Sequence, residues 1–337
     1  MIYLMLEFLN HARPPNSARS KMASAAAVTS TAAEAQPDEQ PELPWWSRTY
    51  AGYRERFVEP YELQLDDGNV VLSLEQAPCV SAEHAREAKA SADGSCTAST
   101  VWDAGIVLAT CVYQRHRSAA AAAEEDAEAV PRRSRCLDLG SGTGIVGLAA
   151  AASGGFSRVV LTDLPSVVPL LERNVASNRE RFGGSDGSGT ETTACGVEAV
   201  PMRWDDAAEV RRVSSLGPFE LIVGGDLLYR PQVVEPLLVA LDALVGRRTT
   251  VLLAASLQHS PETIALFGEA AAEAGFVVER LGSEAQCAHA QSEEVKLLRV
   301  TRPRKAKQGG AGDGAGKVRP PSAKKQRQGD GGDGVRR

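Results

Sequence analysis

Three carboxylates, Asp138, Asp163 and Asp226, each stand within or at the end of an apolar run and close to glycine. Asp138 opens the stretch Leu137-Asp-Leu-Gly-Ser-Gly-Thr-Gly144, and Gly142-Thr-Gly-Ile-Val-Gly147 satisfies the G-x-G-x-x-G pattern. This reads as a buried strand, a tight turn through Gly140, Ser141, Gly142 and Gly144, and the start of a helix. Glycine suits such a turn because its backbone can lie against a ligand with no Cβ in the way. Asp163 ends Val159-Val-Leu-Thr-Asp163, about 20 residues after the turn, where a carboxylate can accept hydrogen bonds from both hydroxyls of a ribose. The competing role for Asp163 is an N-cap, since Pro165 is well placed to open a helix. Asp138 would repel a pyrophosphate and suits a cofactor with a positively charged amino-acid end. A dinucleotide is therefore the weaker match to the glycine pattern, and no Tyr-x-x-x-Lys pair is evident that could relay a hydride.

A second cluster lies in Phe219-Glu-Leu-Ile-Val-Gly-Gly-Asp-Leu-Leu-Tyr229. An apolar strand runs into Gly224 and Gly225, then presents Asp226 and Tyr229 at the strand end where ligands bind in open α/β sheets. Asp226 could attract and orient an ammonium while Tyr229 offers a ring face and a hydroxyl. The plainer reading is an N-cap with a core tyrosine. Trp204 follows a strand at the place where an adenine base would be sandwiched, but taken alone Trp102 and Trp204 both read as core.

The elements that must position these residues follow from the pattern along the chain. Strands are predicted near 135–139, 158–162, 197–201, 219–224, 249–255, 276–281 and 295–301, with helices near 144–153, 165–178, 231–245 and 261–274. This alternation predicts a parallel sheet with helices on both faces. Only a loop, 282–293, separates the last two strands, which implies a closing antiparallel hairpin. Upstream, 57–65 and 70–74 flank Asp66-Asp-Gly-Asn69, a hairpin signal, and 101–113 reads as a helix. The alanine-rich stretch 118–130 is an extension of that helix or an inserted loop; 183–196 reads as a flexible insertion.

The 337 residues are 43% hydrophobic, enough for one large α/β domain, placed at 43–301. The flanks 1–42 and 302–337 are poor in large apolar side chains and are expected to be disordered. The second flank is basic, with eleven Lys or Arg against three Asp on a chain of net charge −6, so the remaining body is strongly acidic. That balance disfavours nucleic acid except through the tail. Six cysteines without a C-x-x-C pair predict reduced thiols, and five scattered histidines predict no metal site. No apolar run is long enough to span a bilayer. A cytoplasmic location is expected, with nuclear import through the tail, or an organelle transit peptide, as the alternatives.

The pieces Val101-Trp-Asp-Ala104, Leu137–Leu148, Leu161-Thr-Asp-Leu164, Arg203-Trp204 and Gly225-Asp-Leu-Leu-Tyr229 occur in an order that resembles the seven-strand, class I, S-adenosylmethionine-dependent methyltransferases. More narrowly they resemble the protein-lysine methyltransferases of the methyltransferase-like 21 group. The resemblance implies a Rossmann-like sheet, S-adenosylmethionine as cofactor, and a protein substrate presenting a lysine. It implies that Trp102, Gly140, Ser141, Gly142, Asp163, Trp204 and Gly225 line the cofactor site, with Asp138 and Gly144 in the same motif, and that Asp226 and Tyr229 sit at the lysine channel. Gly225 departs from the alanine that the group usually has there. The alternatives are the same fold acting on a protein histidine or arginine or a small-molecule amine, and a non-catalytic cofactor-binding module.

Overall fold

The computed structural model describes residues 59–77, 97–124, 134–182, 194–258 and 261–303, with side chains left out for 119–124. Both predicted disordered flanks, apart from Arg302 and Pro303, lie outside the described residues, as does most of 183–196.

The chain opens with an antiparallel hairpin, β1 (Tyr61–Leu65) and β2 (Val70–Leu74), in the register Tyr61 opposite Leu74. In β1 burial alternates, with Tyr61, Leu63 and Leu65 inward and Glu62 and Gln64 outward. That is the period of a strand with one face on a core. The long helix α1 (Asp103–Glu124) follows, so the stretch at 118–130 begins as an extension of the predicted helix.

The second sheet has seven strands: β3 (Arg135–Leu139), β4 (Arg158–Asp163), β5 (Gly196–Pro201), β6 (Leu221–Gly225), β7 (Thr250–Ser256), β8 (Val277–Leu281) and β9 (Val295–Thr301). They lie in the order β5-β4-β3-β6-β7-β9-β8. The first five run parallel; β9 is antiparallel to both β7 and β8, so the last two strands form the expected closing hairpin, with β9 lying between β7 and β8. Helices α2 (Ile145–Ala152), α3 (Val168–Ser177), α4 (Ala207–Ser214), α5 (Val234–Leu244) and α6 (Pro261–Glu273) connect them. Neighbouring residues of the central strands feed opposite cores. Val159 and Leu161 pack with α1, α2 and the hairpin, whereas Val160 packs with Leu137, Ile222 and α5. Two-sided burial of this kind is why these strands are continuous apolar runs.

Two differences from the sequence expectation have physical causes. Helix α4 has no predicted counterpart, because it is short and amphipathic, burying only Val210 and Val213. Its start is fixed by Asp206, whose carboxylate accepts the N–H groups of Ala208 (2.8 Å) and Glu209 (3.1 Å). Helix α3 begins at Val168 rather than Pro165, after a turn in which Val167 N–H donates to Leu164 O at 2.9 Å.

The hairpin is held to α3 by two buried carboxamides. Asn178 Oδ1 accepts Ser73 N–H (2.9 Å) and its Nδ2 donates to Ser73 O (2.8 Å). Asn174 makes the same pair with Glu75, at 2.8 and 3.0 Å. The described cysteines Cys111, Cys136, Cys195 and Cys287 are buried free thiols, and burial pushes Cys111 up to about 11 and Cys195 up to about 12. No helix among the described residues is long and apolar enough to cross a membrane. Because Leu74 is wholly buried in the same core as α1 and α2, Leu74→Ala should destabilise the whole domain by about 2–5 kcal/mol in urea denaturation. A separate low-stability transition of the hairpin would contradict this integration.

Candidate active site

Parallel register brings the ends of β3, β4 and β6 to one edge of the sheet, with Leu139 beside Thr162, Asp163 beside Pro201 and Gly225 beside Ala254. A cleft of about 1020 Å³, open solvent at its mouth included, lies there. It brings together Trp102, Asp138, Gly140, Ser141, Gly142, Asp163, Trp204, Gly225, Asp226 and Tyr229. Gly144 is not among the lining residues: it is the N-cap of α2 and packs near Leu171 and Leu148.

The turn after β3 is bound to β4 through Ser141. Its N–H donates to Thr162 O (2.9 Å), its Oγ accepts Thr162 N–H (3.0 Å), and the same hydroxyl donates to Asp138 O (3.0 Å). The Ser141 side chain therefore serves the backbone. Gly140 and Gly142 have φ of +57° and +58°. A Cβ at Gly142 would lie 2.7 Å from Ala98 O, and one at Gly140 would lie 2.8 Å from Leu227 Cδ2 and 3.2 Å from the Trp204 ring. The turn needs glycine on both counts.

Asp163 is not a helix cap. Its Oδ2 accepts Gly142 N–H at 2.8 Å and its Oδ1 accepts Leu164 N–H at 2.7 Å. A carboxylate oxygen can accept more than one hydrogen bond, and Asp163 lines the cleft. Asp138 is fully buried. Its Oδ2 accepts Gly147 N–H (2.9 Å), while Oδ1 is buried and has no hydrogen-bond partner, and the residue lines the cleft. Burial pushes its carboxyl up to about 7, against the opposing effect of the Gly147 N–H, and the nearby Asp163 charge adds to the rise. A buried acceptor without a partner beside an open cleft is what a ligand ammonium would complete.

Trp102 is fixed by Nε1–H donating to Thr97 O at 3.0 Å. Trp204 is half-buried, and the segment before it is pinned by Arg203, whose N–H and Nη1 both donate to Glu209, at 2.6 and 2.8 Å. Asp226 follows β6 with φ of +57°, unusual for a residue other than glycine. Its N–H donates to Ala254 O (2.8 Å) and its Oδ1 accepts Ser256 N–H (3.2 Å), so it too is no helix cap. At Gly225, where the resemblance implies alanine, a Cβ would lie 2.9 Å from Gly105 Cα. This chain's α1 approaches β6 too closely for that methyl.

The sequence reading missed Thr97 and Ala98, which lie just before α1 and form a wall of the cleft, and Met202, Asp205, Leu227 and Val233, which complete it. Missing too was Gln76, whose Oε1 accepts Thr100 Oγ1 (2.8 Å) and Val101 N–H (2.9 Å) and so anchors that wall. No local pattern marks such contacts.

The sheet order and the glycine-loop cleft at its carboxyl edge define a class I S-adenosylmethionine-dependent methyltransferase fold. Residues 84–267 match the profile of the lysine methyltransferase family, and the chain belongs to that family. It is 27% identical over 162 residues to protein N-lysine methyltransferase METTL21A of Danio rerio, covering 48% of this chain and 62% of that protein. It is 29% identical over 168 residues to EEF1A lysine methyltransferase 3 of Mus musculus, covering 49% and 60%. The chain thus spans less than two thirds of the length of these relatives. Among solved structures it is similar to a TehB-like SAM-dependent methyltransferase from Corynebacterium glutamicum, with 20% identity and a TM-score of 0.36 over 56% of this chain and 95% of that one.

The elevated Asp138 carboxyl makes a signed prediction. Its folded value, about 7, lies above the ordinary 3.8. The stability contributed by the neutral form is therefore full below the ordinary value and is lost as pH rises through the folded one. Asp138→Asn keeps an acceptor for Gly147 and cannot ionise. In ligand-free denaturation, its stability relative to the unsubstituted protein should improve between pH 4 and pH 8, and no change in the difference would refute the assignment.

Proposed function

We propose that this chain binds S-adenosylmethionine in the cleft at the carboxyl edge of the sheet and serves as a methyltransferase for the lysine side chain of a protein substrate. The observation that carries this reading is the presence of Asp226 and Tyr229 on the same cleft as the glycine loop, Asp163 and the partnerless oxygen of Asp138. The residues fit the cofactor. Gly140 and Gly142 leave room for close approach, Asp138 Oδ1 would accept from its ammonium, Asp163 from its ribose, and the Trp204 ring would face its base. Trp102 and Gly225 would close the remaining walls. When bound, S-adenosylmethionine supplies a methyl group already activated on a sulfonium.

What remains for the protein is alignment and desolvation, which can supply several kcal/mol of a displacement barrier. Asp226 attracts the incoming ammonium and orients it; its fixed backbone and its bond to Ser256 hold the carboxylate in place. The amine must lose its proton to water before it can act as a nucleophile. The Tyr229 ring and hydroxyl shape the channel, and the buried side chains of Leu227 and Val233 keep water from its inner wall. Membership of the lysine methyltransferase family supports a lysine acceptor. The names of its relatives, which specify EEF1A and calmodulin, support a protein as its carrier. The acidic body outside the tail favours a basic partner surface over nucleic acid, and buried free thiols fit a reducing, cytoplasmic setting.

The test is transfer of labelled methyl into a cell extract, with hydrolysis of the product, beside Asp226→Asn. Asparagine tolerates the left-handed backbone and retains an acceptor for Ser256. The expected result is labelled methyl-lysine in a protein band, reduced about 100-fold or more by the substitution, with S-adenosylhomocysteine affinity retained. Equal loss of affinity and transfer would put Asp226 in the cofactor site. Label in histidine, arginine or a small molecule would overturn the acceptor.

A further inference from the structure

Asn174 lies in the last turn of α3 and Asn178 is the residue that caps its end, and both are buried, yet their third hydrogen bonds go to different places. Each grips one residue of the hairpin's trailing end through paired amide bonds. The remaining N–H of Asn178 donates to Asn174 O, within its own helix, at 2.8 Å. The remaining N–H of Asn174 donates to Thr143 O at 2.8 Å, inside the glycine turn. One carboxamide therefore ties the hairpin, α3 and the turn together.

The peptide between Thr143 and Gly144 needs such a grip. It runs into Gly144, which is at positive φ, and glycine offers little steric resistance to reorientation of the peptide before it. Its N–H is fixed by Ser141 O (2.7 Å) and its carbonyl by Asn174. Gln76, which follows Glu75, anchors Thr100 and Val101, which like Thr143 line the cleft. The segment after the hairpin thus reaches two lining segments of the cleft.

We propose that Asn174 is a positioning residue for the cofactor site, orienting the glycine turn through the Thr143 carbonyl and coupling hairpin docking to cofactor affinity, an inference that rests on the cofactor reading above. Asn178 makes the same hairpin contacts without touching the turn and is the internal control.

In the full chain, Asn174→Ala and Asn178→Ala should lower the melting midpoint to a similar degree, each by losing its paired bonds to the hairpin. Only Asn174→Ala should weaken S-adenosylhomocysteine in calorimetry, by about tenfold, the size expected when a buried carbonyl loses its partner. Parallel loss of affinity in the two variants, or unchanged affinity in Asn174→Ala, would overturn the proposal. If Asn174→Ala does not fold, hydrogen exchange on the unsubstituted protein decides. S-adenosylhomocysteine should slow exchange of Glu75 N–H more than that of Ser73 N–H, and equal slowing overturns the coupling. Failure of the unsubstituted protein to bind S-adenosylhomocysteine would instead sink the cofactor reading itself, and this inference with it.

Discussion

The cleft depends on one backbone constraint, the bond between the Gly142 N–H and the Asp163 carboxylate. It spans adjacent parallel strands at their carboxyl ends and holds the turn after β3 against the end of β4. The reciprocal bonds between Ser141 and Thr162 repeat the tie one step inward. With the turn fixed from that side, its glycines lie close against Ala98, Leu227 and Trp204, where a Cβ would not fit. A charge-assisted bond to a carboxylate is roughly twice as strong as a neutral one. Asp163 thus serves the fold before any ligand arrives, at the same edge as the proposed ribose contact.

Much of this was legible in the sequence because burial on two faces leaves a plain mark. The runs at β3, β4, β6 and β7 are apolar almost throughout, and each lies between two cores. Helix α4 left a fainter mark: only Val210 and Val213 turn inward, although Asp206 and Glu209 stand at the spacing of a helix start. The carboxylates of the site were legible through their position after apolar runs. Their partners were not, because the capping roles that spacing allowed for Asp163 and Asp226 were displaced by backbone groups from other strands. Gly144 belonged to the motif by spacing, but helical geometry turned it away from the cleft. Asn174 and Asn178 gave no signal, since they reach residues 99 and 105 positions away in the chain.

Three carboxylates of one cleft sit in three different environments, and the differences sort their proposed tasks. Asp163 is paired with backbone N–H groups through both oxygens. Asp138 is fully buried with one oxygen unmatched, and burial with the neighbouring Asp163 charge raises its carboxyl toward neutrality. Asp226 adds a third acid to the same cleft, in a left-handed backbone that costs about 1–2 kcal/mol for a residue with a Cβ. An acid cluster of this kind, assembled with strain and desolvation, is poorly matched to an anionic ligand. It is well matched to cationic ones: an ammonium against Asp138, a sulfonium in the slot and a second ammonium against Asp226. A dinucleotide would set a pyrophosphate against the same turn and meet Asp138 with the wrong sign. The electrostatics of the cleft thus support the proposed cofactor and the proposed acceptor through the same charge pattern, independently of the glycine spacing that both nucleotide-binding classes share.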